Sequence, residues 1–79
     1  MLFGQDQAKL DSLNGLLESA EHDTTRVKIL IKIGGVYFKQ AEYSTAEEYY
    51  NRSLNLYKKL GNKKGVAVSL NNIGLVYYY

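Results

Sequence analysis

The chain contains no cysteine, no proline and a single histidine. Without cysteine there is neither a disulfide framework nor a thiolate metal site, and His22 alone cannot supply a two-histidine metal pair. The missing proline leaves long helices uninterrupted. No acidic residue follows Glu48, and no apolar run approaches the roughly 18 residues that a bilayer span needs. Met1-Leu2-Phe3-Gly4-Gln5 is too short and too uncharged for a complete signal peptide. Met1–Gly4 reads either as the remnant of one, which implies export to a periplasm, or as an ordinary start, which leaves the cytoplasm as the default.

What is present is 79 residues, 46% hydrophobic and 23% charged, a mix that folds instead of staying disordered. A chain of that size buries only about 60–65% of its unfolded surface, so its core is expected to be thin. The net charge of +2 hides an asymmetry: residues 1–48 carry −3, and residues 49–79, with Arg52, Lys58, Lys59, Lys63 and Lys64, carry +5. Nucleic-acid binding through that basic half is one reading. The simpler one is a helix matched to its own dipole, with Glu42, Glu47 and Glu48 near its start and Lys58 and Lys59 at its end. No interleaving of aromatic and basic residues marks a single groove there.

The chain repeats itself. Leu30-Ile31-Lys32-Ile33-Gly34-Gly35-Val36-Tyr37 recurs as Leu70-Asn71-Asn72-Ile73-Gly74-Leu75-Val76-Tyr77, displaced by 40 residues. A fixed period of about 20–50 residues is the mark of stacked-repeat architectures.

Four helices are expected. Leu10, Leu13, Leu17 and Ala20 recur at helical spacing between Gln5 and about Glu21, with Leu16 beside them and Gly15 weakening the middle. Asp23 or Thr24 is expected to cap a second helix from about Thr25 to Gln40, with Val27, Leu30, Ile31, Gly34, Tyr37 and Phe38 along one stripe. Within it, Gly34-Gly35 implies either the close approach of another helix or a kink. A third helix, from about Ser44 to Leu60, places Ala46, Tyr49, Tyr50, Ser53, Leu54, Leu56, Tyr57 and Leu60 inward, with Glu48 and Arg52 four apart on the surface. Gly61 is a left-handed stop and Asn62 a cap for the fourth helix, from about Lys63 to Tyr79. Its inward stripe reads as Val66, Ala67, Leu70, Ile73, Gly74 and Tyr77. In repeat logic it is the first half of a second unit whose other half is missing, so an apolar face should stand uncovered.

The residues resemble the tetratricopeptide repeat, in its variant with a period near 40. The match is Leu30, Ile33-Gly34 and Tyr37 in the first helix of a unit, Ala46, Tyr50 and Ser53 in the second, then Leu70, Ile73-Gly74 and Tyr77. Ser53 stands where the family usually has alanine, and no proline closes the unit. The resemblance implies an all-α fold of antiparallel helix–turn–helix repeats forming a short right-handed superhelical (solenoid) fragment. The segments would be a leading amphipathic helix and cap (1–24), a complete helical pair (25–61) and the first helix of a truncated repeat (62–79). The leading segment is also similar to the one that precedes such arrays in bacterial sensor kinases and regulators, which makes this chain, in a second reading, the input segment of a longer signalling protein.

Catalytic chemistry is not indicated. Glu47 and Glu48 are adjacent and so point to different helix faces, unlike a proton-sharing dyad. His22 beside Asp23 reads as a solvated cap region, and the glycines do not follow strands as a phosphate loop requires. The resemblance implies instead a non-catalytic scaffold or adaptor that binds a peptide or partner helix in a concave groove, with no cofactor, metal or small-molecule substrate. Mapped by the repeat, the groove residues are Lys28, Ile31, Phe38, Lys39, Asn71, Leu75, Tyr78 and Tyr79, with Gly35 and Val68 between them. The uncovered face of the last helix would add a homo-oligomer, either a dimer or a swapped assembly.

Overall fold

Four helices, α1 (Gly4–Ser19), α2 (Asp23–Lys39), α3 (Tyr43–Leu60) and α4 (Lys63–Tyr78), make up the computed structural model, which describes residues 4–79. Met1, Leu2 and Phe3, on which the signal-remnant reading rests, lie outside the described residues. Connections of only two or three residues fold each helix back antiparallel to the one before it. The Cα trace fills a slab 36 × 33 × 14 Å, a thickness that holds two layers of helices at the usual spacing of about 8–10 Å. α3 packs on both α2 and α4, whose ends meet where Phe38 touches Tyr79, and α1 packs on α2.

Packing follows the apolar spacing. Leu10 and Leu13 of α1 bury against Ile29, Ile33 and Val36 of α2. Ala46 and Tyr50 of α3 meet Val76 of α4, with Ile31, Phe38 and Ile73 half-buried around them. Leu16 and Leu60 take no part in the core: Leu60, placed inward by its spacing, is exposed at the end of α3.

Two small-residue contacts set α3 between its neighbours. The Tyr50 ring lies over Gly34, where an added Cβ would come within 2.7 Å of the ring, so the glycine pair permits close approach and α2 continues unbroken through it. One turn from the end of α3, Tyr57 covers Gly65 of α4 in the same way. Between them Ser53 and Ser69, both fully buried, join by a 2.9 Å hydrogen bond, while the Ser53 hydroxyl donates to the Tyr50 carbonyl at 2.7 Å. Every hydroxyl of that pair therefore has a partner, as burial requires.

The contacts of α4 correct its expected inward stripe. Gly65, Ser69 and Val76 are buried against α3, whereas Ala67, Leu70, Gly74 and Tyr77 stand exposed. Both sides of α4 are apolar, and the side bearing the smaller residues is the one that admits the tyrosines of α3.

The helix ends show which local signals hold. Gly61 is left-handed (φ 68°); its N–H reaches the Lys58 carbonyl and that of Asn62 the Tyr57 carbonyl, closing α3 in a Schellman motif. The Asn62 side chain then accepts from Gly65 N–H at 2.8 Å, capping α4. The start of α2 differs from expectation: the N-cap is His22, without a side-chain cap bond, and Asp23 is already helical. Its carboxylate is engaged by Arg26 at 2.9 Å and Lys59 at 3.3 Å. Arg52 likewise does not pair with Glu48; its guanidinium lies 5.2 Å from the centre of the Tyr49 ring.

Candidate functional site

The face formed by α2 and α4 carries most of the residues mapped by the repeat. At its lower end, Phe38 meets Tyr43 in a tilted pair at 5.4 Å between ring centres and Tyr79 edge-on at 5.6 Å, and Tyr79 meets Tyr78 edge-on at 5.3 Å. These separations and tilts are those of favourable aromatic pairs. Phe38 is half-buried, but Tyr78 and Tyr79 remain 81% and 70% exposed, so the cluster is anchored at one side and open at the other. Leu75, 42% exposed, lies a turn earlier on α4, and Asn71, exposed, a further turn up.

The remaining mapped residues divide. Ile31 is half-buried in the α2–α3–α4 core and contributes little free surface. Lys28 is exposed at the opposite end, beside Thr24, Tyr57 and Asn62, about 16 Å along α2 from Lys39. Lys39 opens into a different depression, between α1 and α2, where it is joined by Lys9, Lys32 and Asp6 over a floor that includes Leu13 and Val36. Phe38, Leu75, Tyr78 and Tyr79 thus form one surface, with Asn71 above them, and Lys28 and Lys39 belong to two others.

Three contributors were not evident from the sequence. Tyr43 sits in what reads as a turn, and Lys9 on what reads as a wet helix face. Lys32 does carry a signal, since it lies seven residues before Lys39 and so on the same side of the helix.

Burial and hydrogen bonding shift several of the ionisable groups. Burial raises the Tyr50 hydroxyl above its ordinary value, and burial first, then Tyr49 and Glu42, raises that of Tyr37, which stacks on Tyr49 at 5.8 Å. Tyr77 donates a hydrogen bond to Glu47, and that bond raises its pKa. Lys59 foremost, with Arg26, holds the Asp23 carboxyl below its ordinary range. Among the described residues no three of His, Asp and Glu converge as metal ligands, and no helix is long and apolar enough to cross a membrane. What the surface offers is shape, aromatic area and charge.

Antiparallel helix pairs stacked so that the first helix of each unit lines a common face define an all-α helical-repeat protein. The family model of the tetratricopeptide repeat matches residues 25–79, and the chain belongs to that family. Its members mediate protein–protein interaction and are typically non-catalytic. No curated protein and no solved structure matches the sequence. α1 lies ahead of the matched residues, so the family match covers only the α2 side of the depression that the two helices share.

Proposed function

We propose that the chain is a non-catalytic interaction module that takes a peptide segment on the face formed by α2 and α4. The observation that supports this is the aromatic cluster of Phe38, Tyr79 and Tyr78, supported from within and open to solvent, with Leu75 and the Asn71 amide in line above it. Tyrosine supplies large contact area at low entropic cost, and an amide can both donate to and accept from a peptide backbone. Peptides selected by display against the protein would test the reading. Their affinity should fall at least about tenfold for the Tyr78→Ser/Tyr79→Ser double variant, as expected of aromatic anchors. Failure to select any peptide, or equal binding by the variant, would contradict it.

A second reading is self-association through the outer stripe of α4. Leu70 is 54% exposed where its repeat counterpart Leu30 is 4% exposed, and Gly74 has open space where Gly34 lies under Tyr50. A second copy, opposing the same stripe across a two-fold axis, would bury Leu70 and Tyr77 while Gly74 admits the close approach.

A further inference from the structure

We propose that the depression between α1 and α2 is a site for an acidic peptide segment, gripped by Lys9, Lys32 and Lys39. It rests on the reading of the chain as a peptide-docking module and names the chemistry of the peptide. The depression encloses about 400 Å³. Lys32 and Lys39 reach it from α2, two turns apart, and Lys9 reaches it from the antiparallel α1. Gathering three ammonium groups around one hollow raises their mutual repulsion. Asp6, on the same hollow, offsets only part of it and forms no ion pair with the lysines, since both ion pairs among the described residues are made by Asp23, at the far end of α2. Leu13 and Val36, themselves largely buried, give the hollow an apolar floor, and Gly35 keeps its wall free of a side chain.

Spacing favours carboxylates carried on an extended chain. Seven residues of helix put the backbones of Lys32 and Lys39 about 10 Å apart. Three residues of peptide in the extended polyproline II conformation, at about 3.1 Å each and three to a turn, span nearly the same distance and bring the side chain back to the same face. An acid–x–x–acid segment can therefore meet both lysines, with Lys9 on the opposite wall. Asp6 argues against a continuous polyanion: its carboxylate lines the same hollow and would repel a phosphate at that point. A peptide can place an uncharged residue or an N–H there. The apolar floor likewise suits the methylenes of glutamate better than a sugar–phosphate chain.

Fluorescence anisotropy with the full chain tests this, using a labelled peptide of about ten residues with glutamate at every third position and glutamine between, its all-glutamine counterpart and an oligothymidylate of similar length. The glutamate peptide should bind with an affinity that falls as salt rises, and the glutamine peptide should not. Lys32→Gln/Lys39→Gln should weaken it about fivefold or more, the sum of two exposed ion pairs. Lys63→Gln/Lys64→Gln removes the same charge at the other end of the molecule and should leave affinity nearly unchanged. Asp6→Asn should tighten it. Equal losses in the two lysine variants, equal binding of the glutamine peptide, or tighter binding of the oligonucleotide through Lys32 and Lys39 would each overturn the proposal. If the acidic site fails while display-selected peptides still depend on Tyr78 and Tyr79, the docking reading stands and only this chemistry falls. If neither kind of peptide binds, both fall.

Discussion

Ala41 holds a left-handed backbone (φ 62°) between α2 and α3, and its N–H and that of Glu42 close α2 onto the Phe38 and Tyr37 carbonyls. The bonds repeat those around Gly61 at the end of α3, but there the residue has no Cβ to clash. A side chain in this region costs roughly 1–2 kcal/mol, of which the extra freedom of unfolded glycine cancels part. Ala41→Gly should therefore stabilise the fold by about 0.5–1 kcal/mol, seen as a higher urea midpoint at unchanged slope. The two repeat-related glycines should behave oppositely. At Gly34 a methyl group meets the buried Tyr50 ring, and the overpacking, roughly 1–3 kcal/mol, outweighs the roughly 1 kcal/mol gained in helix propensity. At Gly74 nothing lies within 4 Å, so only the gain remains. Gly34→Ala should lower the midpoint and Gly74→Ala raise it, measured at concentrations where the protein is monomeric; a shared sign would show that the two positions are packed alike.

At the scale of the helices, the apolar spacing and the 40-residue period account for where the elements lie, since Leu10, Leu13, Val27 and Leu30 are buried as their positions imply, while Ile29 and Val36, off the expected stripe of α2, join the core against α1. The side of α4 that meets α3 was not legible in the same way. Its two candidate stripes are equally apolar, and the choice is made by Gly65 under Tyr57 and by Ser69 against Ser53, contacts that hydrophobicity does not weigh. Nor was the role of Asp23, which looks like a cap residue but whose partner Lys59 lies at the end of another helix. The aromatic cluster was half legible: Phe38, Tyr78 and Tyr79 follow from the repeat, Tyr43 only from the folded chain. Asp23 ties the start of α2 to the end of α3, and Lys59 and Arg26 depress its pKa below the ordinary 3.8. A carboxyl whose folded pKa is lowered contributes stability that is present above its unfolded pKa and lost as pH falls through the folded one. Asp23→Asn should thus lower the melting temperature at neutral pH and make no difference well below pH 3.8. Lys59→Gln should reproduce part of the neutral-pH loss, and combining the two should add less than their sum. An undiminished Asp23→Asn effect in acid would assign the loss to packing instead of charge.

For the molecule as a whole, the exposed stripe of α4 is the largest departure from the way a thin helical slab shelters its apolar surface. Leu70 and Tyr77, 54% and 73% exposed, lie on one side of the helix with Ala67 and Gly74, and the corresponding side of α2 is where α3 packs. Isolated apolar residues on a surface need no explanation, but a contiguous stripe along one helix does. One helix face opposing its twin buries well under the area of a standard stable interface, so the association should be weak and visible in the micromolar range. Light scattering on dilution should show the mean mass falling towards the 9.0 kDa of one chain. Leu70→Glu places two like charges against each other across a two-fold contact and should hold the protein at one chain throughout, with helical content and urea midpoint almost unaltered because Leu70 is already 54% exposed. Tyr78→Ser/Tyr79→Ser, on the neighbouring face, should leave the dilution curve in place while weakening the display-selected peptides at least about tenfold. A uniform 9.0 kDa species at high micromolar concentration, or a curve indifferent to Leu70→Glu, would remove the outer stripe of α4 as a self-association surface and leave peptide docking as the proposed interaction.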